Sequence, residues 1–205
     1  MVPTDIFIYG ASGHGKVVAD IIRSLDHTLA GWIDDKVSED TLLWEQFCSL
    51  HPQGTIALGI GGNNARGLVA KKITDAGYFL ATLIHPSAVI SDSAVIKEGS
   101  VVMPLAIINA DTLVGEGCII NSGAVVEHDC ILENYVHISP NAALAGGVHI
   151  KNNTHVGIGS TIIQNLTIGA NTIIAAGSVV TKDVSDHVLA AGVPALVKKT
   201  FCKDN

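Results

Sequence analysis

The chain has 205 residues, of which 48% are hydrophobic and 15% charged, and its formal net charge is −7. This composition is typical of a packed globular protein, and the negative charge argues against a nucleic-acid-binding surface. No run approaches the ~18 apolar residues of a membrane span, and the start MVPTDIFIYG lacks the basic segment of a secretory signal. We therefore expect a cytoplasmic protein. The low proportion of charged residues also suggests that flat faces of the folded protein are buried against other subunits of the same kind.

The first 86 residues are predicted to alternate between strands and helices. Apolar runs predict strands, and amphipathic segments follow two of them as helices. The predicted strands cover residues 6–9, 29–33, 55–60 and 79–84, and the predicted helices cover residues 16–25 and about 65–76. This order indicates a small parallel sheet of the Rossmann type.

The segment GASGHG, residues 10–15, lies between the first strand and the first helix. Backbone N–H groups at such a helix start can receive a phosphate. The glycine order is G-x-x-G-x-G and not the dinucleotide-binding G-x-G-x-x-G, so an NAD-dependent dehydrogenase is poorly supported. Asp34 and Asp35 end the next strand, where sheets of this kind place an acid near a ribose or base. They could equally be solvated acids in a turn.

From residue 90 to residue 180, every sixth residue is Ile, Leu or Val, and the residue two before is nearly always small. A period of six matches neither helix nor ordinary sheet but is the signature of a parallel β-helix. We therefore predict a β-helix over residues 87–184 and a C-terminal cap over 185–205. Cys118 and Cys130 fall in the small-residue column, and together with Cys48 and Cys202 they show no paired metal-binding spacing. The aliphatic residues that repeat with the period of six occupy sixteen positions: Ile90, Ile96, Val102, Ile108, Val114, Ile120, Val126, Leu132, Ile138, Leu144, Ile150, Val156, Ile162, Ile168, Ile174 and Val180.

With its hexads, its GASGHG loop and the closing AGVPA (residues 191–195), the chain resembles the left-handed β-helix acyltransferases of hexapeptide repeats. Within them it is most similar to nucleotide-sugar N-acetyltransferases of the bacillosamine pathway type, which group with sialic acid O-acetyltransferases. The resemblance implies coils of eighteen residues, acetyl-CoA as co-substrate, and a homotrimer with active sites between subunits. An eighteen-residue coil would stack His128 beneath Gly146 and His137 beneath His155.

The resemblance also implies roles for individual residues. Glu127-His128-Asp129 resembles the family's Glu-His-Glu segment, which makes His128 the general base and Asp129 the carboxylate that orients it. Asp129 is one methylene shorter than the family's Glu, which predicts a looser contact. The Gly146 amide would face the thioester carbonyl. The residues expected at acetyl-CoA are His137, Gly146, His155, Ala176 and Pro194, and those expected at the nucleotide-sugar are Gly10, Ser12, Gly13, His14, Asp34, Asp35, Gly62, Asn63, Asn64 and Asn121.

Several alternatives remain open from the residues alone. His128 could be a solvated corner histidine between two acids, since the chain has nine histidines. A zinc site of His137, His149 and His155 is the sharper alternative, because related β-helices bind zinc through histidines. His149 lies twelve residues from His137, however, and should therefore occupy a different face, so no metal is expected.

The expected activity is N-acetylation of UDP-4-amino-4,6-dideoxy-N-acetylglucosamine at the 4-amino group. Another nucleotide-linked 4-amino-sugar such as GDP-perosamine, a sialic acid hydroxyl, and a metal-binding or structural β-helix are the alternatives. His14 within the loop favours the amino-sugar branch.

Overall fold

The computed structural model describes residues 4–36 and 39–201. Cys202, which was predicted to belong to no metal-binding pair, lies outside this part of the chain. The last residues of the predicted cap also lie outside it. Within it, no helix has both the length and the apolar character needed to cross a bilayer.

The N-terminal domain is a five-stranded parallel sheet with helices on both faces. The strands are β1 (Asp5–Tyr9), β2 (Thr28–Ile33), β3 (Thr41–Leu42), β4 (Thr55–Leu58) and β5 (Phe79–Leu80), in the order β3-β2-β1-β4-β5. The helices are α1 (Gly13–Ser24), α2 (Trp44–Leu50) and α3 (Asn63–Asp75). The strand order reverses between β1 and β4, and ligands of open α/β sheets bind outside the carboxyl ends of the strands at such a point. The predicted Rossmann-like domain is therefore confirmed.

Some of the predicted boundaries differ from the structure. Helices α1 and α3 begin two to three residues earlier than predicted, at Gly13 and Asn63. Helix α2 and strand β3 were not predicted. The single strand predicted over residues 79–84 is divided, because Phe79–Leu80 pairs with β4 whereas the next strand joins the β-helix.

The β-helix has three flat faces, and each coil contributes one short strand to each face. The domain face contains β6 (Leu83–Ile84), β9 (Val101–Val102), β12 (Ile119–Ile120), β15 (His137–Ile138), β18 (His155–Val156), β21 (Ile173–Ile174), β23 (Val188–Ala191) and β24 (Leu196–Thr200). The second face contains β7 (Val89–Ile90), β10 (Ile107–Ile108), β13 (Val125–Val126), β16 (Ala143–Leu144), β19 (Thr161–Ile162) and β22 (Val179–Val180). The third face contains β8 (Val95–Ile96), β11 (Leu113–Val114), β14 (Ile131–Leu132), β17 (His149–Ile150) and β20 (Thr167–Ile168).

The register between coils is eighteen residues. Ile119 pairs with His137, Val125 with Ala143 and Ile131 with His149. The second residue of each short strand faces inward, and from Val102 to Val180 these residues are at most 1% exposed. The periodic aliphatic residues therefore form one continuous core, as the left-handed β-helix prediction requires.

The corners of the coils require a left-handed backbone. Every sixth residue from Gly99 to Gly177 has a positive φ, and twelve of these fourteen are Gly, Asn or Asp, the residues that tolerate it best. Leu105 and Tyr135 are the two exceptions. The Tyr135 ring lies against Gly67 of α3, so this corner is held by the N-terminal domain.

The N-terminal domain packs on the domain face through an apolar layer. Ile6, Ile21 and Ala57 share one buried cluster with Val101 and Ile119 of the β-helix. Val101 and Ile119 face outward from their coils yet are 1% and 0% exposed. This apolar layer packs the small sheet directly against the β-helix.

Candidate active site

His128 lies at the corner between the second and third faces, between β13 and β14. Its Nδ1 is 2.7 Å from Asp129 Oδ2, so the shorter acid reaches the imidazole in spite of the looser contact expected. Asp129 adopts a φ of 58°, which turns its side chain back beside the ring. The hydrogen bond to Asp129 raises the pKa of His128 above its ordinary value, and the neighbouring Glu127 adds to this. The free Nε2 of the neutral ring can then accept a proton.

Gly146 lies one coil above His128, as the eighteen-residue spacing predicted. A Cβ on Gly146 would stand 2.5 Å from His128 Cε1 and 2.6 Å from Nε2, so the imidazole occupies the space that a side chain would need. The Gly147 N–H donates to the carbonyl of His128 at 2.9 Å, which ties the two corners together. Only glycine allows the ring to lie against the backbone at residue 146.

His137 and His155 stack on the domain face, also as predicted. Their ring centroids are 4.6 Å apart and the rings are 1° from parallel. His137 Nε2 is 3.0 Å from Asn121 Nδ2, and His155 Nε2 is 2.7 Å from Ser139 Oγ. Burial, together with the charges of His155, Arg66 and His14, lowers the pKa of His137 to about 3. Burial, followed by Arg66, also lowers the pKa of His155. Both rings are therefore neutral near pH 7.

His14 approaches the same region from the start of α1. Burial, followed by the charge of Arg66, lowers the pKa of His14 to about 4. Among the described residues, His14 Nε2 and His137 Nδ1 are the buried side-chain nitrogen atoms without a hydrogen-bond partner. Buried polar groups are usually paired, so two orphans in neighbouring rings are typical of a site that receives a ligand.

Arg66 joins the two domains, and the sequence analysis missed it. Its side chain is buried at 1% exposure. All of its hydrogen bonds go to neutral oxygen atoms, and burial lowers its pKa to about 10. These acceptors are the carbonyls of Gly117 (2.6 Å), Tyr135 (2.9 Å), Gly61 (3.0 Å) and Ile60 (3.3 Å), and Oδ1 of Asn63 (2.9 Å). Arg66 thus fixes the loop after β4 against the coil that carries His137.

The carboxyl edge of the small sheet gathers most of the predicted nucleotide-sugar residues. Gly10, Ser12, Gly13 and His14 form the turn into α1, whose first N–H groups have no partner within a helix. Asp34 Oδ2 accepts the N–H of Ala11 at 2.9 Å, so this carboxylate holds the loop.

Asp35 stands further out on the same edge. Its Oδ1 accepts the Tyr9 hydroxyl at 2.7 Å, and its side chain is 73% exposed. Lys72 donates to the same Tyr9 hydroxyl at 2.9 Å and lies over the rings of Tyr9 and Trp44. Asp35 therefore keeps an exposed carboxylate oxygen beside an aromatic surface.

The loop after β4 completes this edge. Gly62 and Asn64 are exposed, whereas Asn63 is committed to the domain contact because its Nδ2 donates to the carbonyl of Asn153 at 2.9 Å. Asn121 is likewise committed, to His137.

The remaining predicted residues lie elsewhere. Ala176 is exposed at a corner after β21, and Pro194 is exposed in the turn between β23 and β24. His149 lies on the third face, as predicted, and its Nε2 is 2.9 Å from Glu133 Oε1. Over residues 4–36 and 39–201, no three His, Cys, Asp or Glu side chains are grouped to hold a metal ion.

The His128 corner and the histidine pair are not brought together within one chain. The coils run from the domain face to the second and then the third face. The corner between the second and third faces is therefore the edge of the triangular prism opposite the domain face. His128 therefore lies on the edge remote from the domain that carries His14.

Each of the two domains matches a known protein family. Residues 5–73 match the family model described as PglD N-terminal domain, and residues 93–128, 111–146 and 147–182 match the bacterial transferase hexapeptide (six repeats). A curated relative, UDP-N-acetylbacillosamine N-acetyltransferase of Bacillus subtilis (strain 168), is 41% identical over 110 residues. That alignment covers 48% of this chain and 51% of the relative, so it spans about half the length of each.

Two solved structures match nearly the whole chain. A histidine variant of GDP-perosamine N-acetyl transferase from Caulobacter crescentus, in complex with CoA and GDP-perosamine, is 38% identical with a TM-score of 0.91, covering 95% of this chain and 97% of that one. The acetyltransferase domain of PglB from Neisseria gonorrhoeae FA1090, in complex with acetyl coenzyme A, is 35% identical with a TM-score of 0.89, covering 95% and 99%. The chain belongs to the family of hexapeptide-repeat N-acetyltransferases that carry a PglD-type N-terminal domain.

Proposed function

We propose that the protein transfers the acetyl group of acetyl-CoA to the 4-amino group of a nucleotide-linked amino-sugar. UDP-4-amino-4,6-dideoxy-N-acetylglucosamine is the first candidate, because the curated relative is named as a UDP-N-acetylbacillosamine N-acetyltransferase. The observation that carries the proposal is the His128 imidazole, which is bonded to Asp129 and lies against Gly146.

The proposed reaction is direct attack within a ternary complex. The amine attacks the thioester carbonyl while His128 Nε2 takes its proton, and Asp129 stabilises the imidazolium that forms. The Gly146 N–H donates to the oxyanion of the tetrahedral intermediate, a contact whose loss typically costs ~10²–10³ in rate. The intermediate collapses, the carbon–sulfur bond breaks, and the imidazolium returns the proton to the departing CoA sulfur. No covalent enzyme intermediate is needed.

The N-terminal domain is proposed to hold the nucleotide. The start of α1 would receive the phosphates, because helix N-termini favour anions. The exposed oxygen of Asp35 would accept an N–H of the base. His14 is near enough to His137 to lower its pKa, and its unpartnered Nε2 would meet the sugar that follows the phosphates.

The position of His128 on the edge opposite the domain face supports a homotrimer with active sites between subunits. In one chain the proposed base cannot reach a sugar held by its own N-terminal domain. A neighbouring protomer can present its His128 corner to that domain. Exposed apolar residues on the second and third faces, Val89, Val95, Leu113 and Ile131, supply surface for such contacts.

We also propose a cytoplasmic location. Cys118 and Cys130 are buried free thiols in the small-residue column, and the reducing cytoplasm keeps such thiols unpaired.

Release of CoA thiol in the presence of acetyl-CoA and a panel of UDP-, GDP-, dTDP- and CMP-linked amino-sugars tests the reaction, with mass spectrometry of the product. The expected result is acetylation of one 4-amino-sugar and loss of turnover by ~10²–10⁴ in His128→Ala. The matched control is His27→Ala, a partly exposed histidine whose Nδ1 accepts the Thr4 N–H. Full turnover by His128→Ala would refute the assignment. Acetylation of GDP-perosamine or of a sialic acid hydroxyl would establish an alternative substrate, and no turnover with any acceptor would favour a structural role.

Mixing two inactive variants tests the shared site. His128→Ala and His14→Ala chains, unfolded and refolded together in equal amounts, should regain about one quarter of wild-type activity, because a quarter of the sites then combine an intact His128 with an intact neighbouring His14. Activity no greater than that of the separate variants would mean that each site uses a single chain. A monomer by light scattering would also refute the trimer.

A further inference from the structure

The hydrogen bonds of Asn121 determine which nitrogen of His137 carries the proton. The Ser122 N–H donates to Asn121 Oδ1 at 2.8 Å, which fixes the orientation of the amide. Asn121 Nδ2, a donor only, therefore faces His137 Nε2 at 3.0 Å. Nε2 must accept this hydrogen bond, so the proton of the neutral ring resides on Nδ1.

The surroundings of His137 favour the neutral ring. The titratable and charged groups that face it are His155, Arg66 and His14, of which Arg66 is a buried cation. A proton added to His137 would meet this charge with little solvent screening. Among the largest influences on the pKa of His137, the Gly61 backbone is the one that opposes this cost.

The Nδ1 side of the ring faces the loop after β4. The Gly61 backbone is near enough to raise the pKa of His137, as a hydrogen-bond acceptor would. Nδ1 nevertheless has no hydrogen-bond partner of normal geometry, and the Gly61 carbonyl already accepts from Arg66 at 3.0 Å. The N–H at Nδ1 is thus a buried donor directed to the domain seam, the contact between the loop after β4 and the coil that carries His137.

We infer that Asn121 is a positioning residue, which holds His137 as the neutral Nδ1–H tautomer so that His137 acts as a hydrogen-bond donor at the domain seam and takes no part in proton transfer. The tautomer follows from the hydrogen bonds of the free protein. Its use in the reaction rests on the proposed function. Asn121 then contributes to sugar or acetyl-CoA binding through His137, and its amide is not available for the sugar itself.

The test reads the tautomer directly. Long-range ¹H–¹⁵N spectra of protein labelled at histidine, with the His137 signals assigned from a His137→Gln sample, should show a protonated Nδ1 and an unprotonated Nε2 from pH 6 to 8. Asn121→Asp replaces the donor by a carboxylate of the same shape, so Nε2 should become protonated. The matched control is Asn152→Asp, because Asn152 Oδ1 also accepts a backbone N–H, from Asn134 at 2.9 Å. A protonated Nε2 in the wild type, or an unchanged His137 spectrum in Asn121→Asp, would overturn the inference.

Kinetics of the same variant separate positioning from proton transfer. Asn121→Asp should raise KM for one of the substrates about tenfold while kcat stays within about threefold. The reason is that the lost interaction is made equally in the ground state and in the transition state. The acid limb of the pH profile of kcat should stay at the same pH, because it is set by the pKa of His128. A kcat loss as large as that of His128→Ala would instead place His137 in the proton path. Since the spectra need no substrate, a failure of the proposed acetyl transfer would leave the tautomer result standing.

Discussion

Replacing Gly146 by alanine should move the proposed base without removing the backbone amide beside it. The new Cβ would stand 2.5 Å from His128 Cε1 and 2.6 Å from Nε2, whereas carbon atoms pack at about 3.5–4.0 Å. The imidazole must therefore shift by about 1 Å. A misplacement of that size costs ~10²-fold in rate, or about 2.7 kcal/mol of activation free energy.

The free energy of unfolding should barely change in the same variant. The His128 side chain is 62% exposed and can swing into solvent, and surface substitutions usually change stability by within about 0.5 kcal/mol. Gly146→Ala should thus lower kcat about 10²-fold while the urea midpoint stays close to that of the wild type.

A double-mutant cycle decides whether the loss passes through the imidazole. In a His128→Ala background the added methyl group has no ring to displace, so Gly146→Ala should then be nearly neutral for kcat. If Gly146→Ala retains kcat within about threefold, or costs the same with and without His128, the geometric argument is refuted.

Two further predictions concern charged residues. Asp129→Asn should remove the contact that raises the pKa of His128, so the acid limb of kcat/KM should move to lower pH; an unmoved limb would show that His128 is not the group that must be unprotonated. Arg66→Met should lower the free energy of unfolding by at least ~3 kcal/mol, because several buried oxygen atoms lose their donor at about 1–3 kcal/mol each. In urea unfolding, the exposed Arg23→Met should cost no more than ~1 kcal/mol, and a similar small loss for Arg66 would show that the seam does not depend on it.

The sequence predicts the features that follow from a repeating geometry. The six-residue period defines the coil, and the eighteen-residue coil of the resembled family stacks His128 under Gly146 and His137 under His155 regardless of the intervening residues. The corner residues are predictable for the same reason, since Gly, Asn and Asp recur where the backbone turns left-handed.

Contacts across the domain seam are not predictable in this way. Arg66 looks like an ordinary helix cation, and its burial depends on the Gly117 and Tyr135 carbonyls, which are 51 and 69 residues away. Helix α2 has only seven residues, too few to show a clear helical period, and is held on the sheet by ring contacts of Trp44 with Tyr9 and of Phe47 with Phe7. The apolar run 79–84 carries no mark of the point at which the chain leaves one sheet and enters another.

The eighteen-residue register restricts how the gene can change length. A complete extra coil would lengthen the prism and leave every residue on its own face. An insertion of six residues between His128 and Gly146 would preserve the hexad pattern and the aliphatic core, yet it would rotate everything after it by one third of a turn. Gly146 would then stand on a different edge from His128. Within the coils, insertions and deletions that preserve both fold and site should therefore come in multiples of eighteen residues, whereas shorter changes are confined to loops that bulge outward from a corner.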